Sequence, residues 1–251
     1  MNGLIIAGFG TLDDAERART LDAIELDLRR EFPSLKIVPA LTANFIRRKL
    51  LARGLDVHSI EERLKELRAQ GISNITILPT HLTPGEEFEN KILPFANDGI
   101  RILPPLFTAD CRTEFDRRAF EVVIDCFRPF GDEELVLIGH GSPHRHNPVY
   151  ENLQQLNSRV HIGVIEPTDR PNFGDVLARL HETRAKKILL APLLLTGGVH
   201  VNEDIAGSDQ NSWLNRLRAE GFSMRVCTAG LGTFPVFRRL YVERVRLSIS
   251  D

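Results

Sequence analysis

The chain is short of cysteine, of excess charge of either sign and of long apolar runs, and each shortage removes a class of protein. Its three cysteines, Cys111, Cys126 and Cys227, form no Cys-x-x-Cys pair, and an odd number argues against a disulfide framework. A reducing compartment follows, so the expected location is the cytoplasm. Lys and Arg total 32 against 34 Asp and Glu, for a formal net charge of -2. No basic field therefore points to nucleic acid, and no acidic block points to a disordered tail. No apolar run reaches the roughly 18 residues that a membrane-spanning helix needs, and no membrane partner is expected. The opening "MNGLIIAGFGT" has no basic segment ahead of its few apolar residues, so it reads as a first β-strand and not as an export signal.

Three catalytic signatures are missing as well. The Gly-x-Gly turns at residues 8–10 and 139–141 lack the third glycine of the dinucleotide fingerprint, and they lack the Lys-Ser/Thr of a phosphate loop. No nucleotide or organic cofactor is expected. No Gly-x-Ser-x-Gly elbow occurs, which leaves a serine hydrolase unsupported.

What is present is a strong alternation. With 251 residues, 42% of them hydrophobic, the chain can bury one large core or two ordinary ones. The strand-like "GLIIAGFGT" (residues 3–11) is followed by the helix-period "DDAERARTLDAIELDLRREF" (13–32). Then come the strand "LKIVPAL" (35–41), the helix "SIEERLKELRAQG" (59–71), and the strands "NITILPTHL" (74–82) and "IRILPPL" (100–106). Apolar strands separated by helices predict parallel pairing, an α/β fold, and sheets covered on both faces.

The second half repeats the first. "LVLIGHGS" (135–142) lies over "LIIAGFGT" (4–11), which matches Gly8 with Gly139, Phe9 with His140 and Gly10 with Gly141. "ILLAPLLLTGGVH" (188–200) lies over "ITILPTHLTPGEE" (75–87), which matches Pro79 with Pro192, Gly85 with Gly198 and Glu87 with His200. Each half is predicted to be a small parallel α/β unit. The break in "CFRPFGDEE" (126–134) puts the lobes at 1–129 and 130–251, with terminal helices free to cross between them.

Parallel sheets bind ligands beyond the carboxyl ends of their strands. His140 ends "LVLIG", Glu166 ends "HIGVIE", and His200 follows "KKILLAPLLL" after a Gly-Gly turn; Glu86 and Glu87 follow the matching strand of the first half. Two imidazoles and a carboxylate from successive strand ends suit a divalent metal, and they suit general base work equally well. Gly139 and Gly141 favour a role for His140, because glycine permits close approach or a positive φ. His144 and His146 read as residues of a solvated turn, and His58, His161 and His181 as structural. His81 is placed to point into the site.

The segments "LIIAGFGT", "FIRRKL" (45–50), "THLTPGEEFE" (80–89), "IGHGSPHRH" (138–146), "GVIEP" (163–167) and "LTGGVHVNEDIAGSDQNSW" (195–213) resemble the anaerobic cobalt chelatases, the sirohydrochlorin cobaltochelatases of vitamin B12 synthesis. The resemblance runs in order along nearly the whole chain. It implies two similar lobes, each a four-stranded parallel sheet flanked by helices, with an active-site cleft between them. It implies His140, Glu166 and His200 as metal ligands, and His140, His200 and Glu87 as catalytic groups. Cobalt(II) is the implied substrate metal, and sirohydrochlorin or precorrin-2 the tetrapyrrole. That substrate carries many carboxylates, so Arg47 and Arg48 in "NFIRRKL" are its expected partners, against the plainer reading of a solvated helix face. The stretches "SPHRH" and "EPTDRP" depart from the family pattern and leave substrate contacts and metal preference open. Iron or nickel insertion on the same substrate, or a non-catalytic tetrapyrrole or metal carrier, are the alternatives. A periplasmic-type two-lobe binding protein is disfavoured by the missing export signal and the histidine pair. Assembly into a homo-oligomer is left open.

Overall fold

The computed structural model describes residues 2–96 and 99–250. Two four-stranded sheets are present among them, and every strand pairing is parallel. The first contains β1 (Gly3–Gly8), β2 (Lys36–Leu41), β3 (Ile75–Pro79) and β4 (Ile100–Ile102), in the order β2-β1-β3-β4. The second contains β5 (Glu134–Gly139), β6 (Val160–Val164), β7 (Lys187–Pro192) and β8 (Ser223–Val226), in the order β6-β5-β7-β8. The central strands β1 and β5 are buried at every residue, as expected for strands covered on both faces.

Helices fill the crossovers: α1 (Asp14–Arg19), α2 (Leu21–Glu31), α3 (Asn44–Ala52), α4 (Ile60–Ala69), α5 (Glu86–Lys91), α6 (Glu114–Phe127), α7 (Val149–Gln154), α8 (Phe173–Glu182), α9 (Trp213–Ala219) and α10 (Pro235–Ser250). Their starts are written locally. Ser59 with Glu62, Thr113 with Asp116, and Asn172 with Asp175 each close a capping box that satisfies free amide groups of the first turn. On α6, Phe115, Ala119, Phe120, Val123, Cys126 and Phe127 fall on the buried face, a helical spacing that ends at Arg128 with φ 49°. The segment 13–32, expected as one helix, is two. Thr20 interrupts it at φ −120°, ψ −80°, and its buried hydroxyl donates back to the Glu16 carbonyl at 2.5 Å. This back-bonding is a recognised local competitor of the helix.

The repeat extends to individual hydrogen bonds. Ala7 faces Pro79 across β1 and β3, and Ile138 faces Pro192 across β5 and β7. Beyond the strand ends, Thr80 N donates to Ala7 O at 2.9 Å and Leu193 N to Ile138 O at 2.8 Å. Thr42 N donates to Gly8 O, and Ile165 N to Gly139 O, each at 2.9 Å. Gly8 and Gly139 therefore hold equivalent register positions.

The chain forms two compact units, residues 1–107 with 235–251, and residues 108–234. This differs from a division at 129/130. Residues 108–129 join the second unit because Asn152 of α7 donates to Ala109 O at 2.9 Å and Phe127 of α6 packs edge-on against Phe234. Helix α10 joins the first unit because it buries Phe237, Leu240, Tyr241 and Val245 and packs on α2. The Tyr241 hydroxyl donates to Thr80 O at 2.8 Å, and Arg238 pairs with Asp27 of α2.

Candidate active site

In the second sheet the chain leaves β5 for β6 on one side and later crosses to β7 on the other. The carboxyl ends of β5 and β7 thus flank the topological switch point, where α/β sheets open a crevice. His140 follows β5 directly, and His200 follows the loop after β7.

The glycines beside His140 answer to two separate constraints. A β-carbon on Gly139 would lie 2.3 Å from the ring of Tyr150, a buried residue of α7. Gly141 has φ +78°, and a β-carbon there would come within 3.0 Å of both Val164 and Glu166. The strand therefore ends against one ring, turns through a conformation that favours glycine, and leaves His140 exposed between the two.

His200 heads a π-helical turn, Val201–Ile205, a rare conformation that often marks functional sites. The loop behind it is anchored at several points. Ser212 and Asn215 of the α9 start donate to Gly207 O at 2.9 and 3.2 Å. The Trp213 ring occupies the space a β-carbon on Gly163 of β6 would need, at 2.4 Å, and packs on Phe173 at 5.2 Å between centroids. Gly230 lies so close to Thr196 and Gly197 that a β-carbon would be 2.5 Å from their backbone. The long stretch 195–213 is thus tied down at several points behind one histidine.

The structure brings His140 and His200 together. Their ring centroids are 4.7 Å apart with an interplanar angle of 82°. His140 Nδ1 is 3.2 Å from the Gly141 carbonyl, and His200 Nδ1 is 2.8 Å from Asp204 Oδ2. Both partners are oxygen acceptors, so in each neutral ring Nδ1 carries the hydrogen and Nε2 keeps the lone pair. A carboxylate behind a histidine is the usual way a ligating tautomer is held.

Glu166 is joined to this pair through its backbone, whose amide donates to His140 O at 3.0 Å. Its Oε1 accepts the Thr168 hydroxyl at 2.9 Å. Among the described residues, no three His, Cys, Asp or Glu side chains are grouped to hold a metal ion. The expected third ligand is thus beside the histidines in the chain path, with its carboxylate engaged by Thr168.

The remaining candidates lie in the first unit. Glu87 is in the first turn of α5, eight residues past Pro79, as His200 is eight past Pro192; its Oε1 is buried without a hydrogen-bond partner. Both ring nitrogens of His81 are also buried and unpartnered, and burial pushes its pKa down to about 4, leaving a neutral ring. Arg47 spans both carboxylate oxygens of Glu62 at 3.0 Å and is committed within the unit. The Glu62 carboxyl is held low, first by the Ser59 amide and then by Arg47. Arg48 is exposed on α3.

Of two histidines set aside in the sequence, His161 is structural as expected and His146 is not what its position suggested. His161 is buried against Glu134, and its pKa is pushed down by burial, with Glu134 opposing. His146, expected on a solvated turn, is bonded instead. Its Nδ1 lies 2.7 Å from the buried Asp169 and its Nε2 3.2 Å from Glu151; the Asp169 bond, aided by Glu151, raises its pKa. Asp204 was open to detection in the sequence, since it stands four residues after His200. Asp169 gave no such signal, because 23 residues separate it from His146.

Comparison with known proteins finds relatives along nearly the whole chain. The family model for cobalt chelatase (CbiK) matches residues 2–250. The sirohydrochlorin cobaltochelatase of Salmonella typhimurium is 26% identical over 262 residues, covering 98% of this chain and 96% of the relative. Sirohydrochlorin cobaltochelatase CbiKC of Nitratidesulfovibrio vulgaris is 26% identical over 259 residues, covering 99% and 90%. In fold, the chain is similar to SirB from Bacillus subtilis with Fe3+, at a TM-score of 0.63 and 17% identity, over 98% of this chain and 95% of that one.

Proposed function

We propose, from the premise that this chain belongs to the cobalt chelatase family and is a metal chelatase, that it inserts Co(II) into sirohydrochlorin or precorrin-2. The observation that carries the reading is the histidine pair, with rings 4.7 Å apart and each Nδ1 engaged as a donor. Insertion exchanges one dication for two pyrrole protons, so the site must both receive a metal and accept protons. A single Nε2 cannot do both at once, whereas two adjacent imidazoles can divide the work. In this reading His140 and His200 receive the ion, and Glu166 completes the set once its carboxylate leaves Thr168. The histidine freed as the ion passes to the pyrrole nitrogens then accepts a proton.

Glu87 is assigned the relay of pyrrole protons, on the strength of its register equivalence to His200 and its buried, unpartnered Oε1. Arg48, exposed on α3, is the better candidate for substrate carboxylates, since Arg47 is occupied by Glu62. Two nitrogens and a carboxylate do not distinguish cobalt from iron or nickel.

The test is purified protein with sirohydrochlorin and Co(II), Fe(II) or Ni(II), followed by absorbance over more than one turnover per protein. Cobalt is expected to react fastest. Co(II) titration of the Ala variants of His140, Glu166 and His200 should show lost affinity, while Glu87→Ala should bind cobalt and insert it slowly. Arg48→Ala should raise KM for the tetrapyrrole and flatten its salt dependence. Unchanged cobalt affinity in Glu166→Ala would remove that residue from the ligand set.

A further inference from the structure

Two loops present the site in the second unit: residues 140–148 after β5, carrying His140, and residues 165–172 after β6, carrying Glu166. A buried carboxylate joins them. The Asp169 side chain is fully shielded from solvent. Its Oδ2 accepts the Ser142 amide at 2.9 Å, and its Oδ1 accepts His146 Nδ1 and the Arg170 amide, both at 2.7 Å. Ser142 is two residues from His140, and Asp169 N donates to Glu166 O at 3.2 Å. Glu151 of α7 holds the far side of the His146 ring at 3.2 Å. A carboxylate buried in this way is strongly unfavourable without donors, and donors drawn from two loops lock those loops together.

We propose that Asp169, held by His146, is a positioning residue for metal insertion: it clasps the Gly-His-Gly-Ser turn that presents His140 to the 166–169 turn that carries Glu166. The clasp touches neither metal nor tetrapyrrole. It rests on the reading above, in which His140 and Glu166 receive the ion. Neither local pattern nor helix spacing links Asp169 to His146, which stand 23 residues apart on separate loops.

The chemistry of the side chains sets the test. Asp169→Asn preserves shape but offers one acceptor oxygen, so an amide N–H must face either Ser142 N–H or the Arg170 and His146 side. His146→Leu removes the donor at a half-exposed position, and His146→Asn returns an N–H near the place of Nδ1. In Asp169→Asn, kcat for cobalt insertion should fall roughly 10- to 100-fold, the range for groups that orient metal ligands, while KM for sirohydrochlorin stays within about twofold. The visible spectrum of Co(II) bound without tetrapyrrole should change. His146→Leu should act in the same direction, and His146→Asn should restore most of the loss. In metal-free protein, the Gly141 and Ser142 amide NMR signals should shift in Asp169→Asn and His146→Leu. A lowered Tm with unchanged kcat, Co(II) spectrum and amide signals would overturn the clasp and leave a purely structural bond. If the unaltered protein inserts no metal, the chelatase reading of the site fails, and the amide signals and Co(II) spectra still decide the clasp on their own.

Discussion

Asp204 matters to His200 more than its modest exposure suggests, because it decides which ring nitrogen carries the hydrogen. Asp204→Ala should therefore weaken Co(II) binding or turnover by roughly 10- to 100-fold, measured by titration and by initial rates. The two histidines should behave as a unit: His140→Ala with His200→Ala is expected to cost little more in kcat/KM than the worse single change. Multiplicative losses would instead show two independent roles. At this scale the sequence exposed the residue types with unusual chemistry, His140 and His200 among them. Of the supports, Asp204 stands within reach of a sequence reading, four residues after His200, but Asp169 does not, since its hydrogen bond to His146 depends on where two loops pass in space.

The strand-to-helix contacts set the limits on the loops. Gly139→Ala drives a methyl group into the ring of the buried Tyr150, with 2.3 Å to the nearest ring carbon, so the ring or β5 must shift. Overpacking of this kind should cost about 1–3 kcal/mol by urea unfolding, and it should displace His140 enough to slow insertion. In the first unit, the Tyr241 hydroxyl of α10 offers the matching test of one buried polar contact. Tyr241→Phe keeps the packing but leaves the Thr80 carbonyl without its donor, an expected loss of about 1–3 kcal/mol in the same measurement. Element types were largely legible, because buried parallel strands write themselves as continuous apolar runs and capping boxes sit at fixed spacings. The break at Thr20 and the π-turn after His200 were not, since side-chain bonding decides the first and loop anchoring by Ser212, Asn215 and Trp213 decides the second.

For the molecule as a whole, acid sensitivity follows from His81. Its pKa is about 4 in the folded protein, lowered by burial, against an ordinary value of 6.5. The unfolded chain therefore takes up a proton before the folded one does, so stability falls as pH drops from about 6.5 towards 4. Between pH 7 and pH 5 this one group should remove roughly 2 kcal/mol, on the scale of 1.36 kcal/mol per pKa unit. Urea unfolding of His81→Leu at the two pH values should show that much less acid loss than the unaltered protein. An equal loss in both would place the acid sensitivity elsewhere. His146 acts in the opposite sense: its raised pKa adds stability that is full below the ordinary imidazole value and is lost as pH rises through the folded one.

The repeat, the parallel α/β class and the histidine candidates were legible in the sequence alone, because each depends on local order: alternation of apolar runs, glycines at fixed offsets, and a repeat that aligns Pro79 with Pro192; the family was read from a resemblance of ordered segments. The tertiary structure decided the rest. It assigned residues 108–129 to the second unit and α10 to the first, through contacts between residues far apart in the chain. It also engaged Arg47 with Glu62, brought the His140 and His200 rings to 4.7 Å between centroids, and bonded the loop after β5 to Asp169 in the loop after β6. Pairings of this kind are fixed by which surfaces are buried against each other, and a linear pattern carries no measure of that distance.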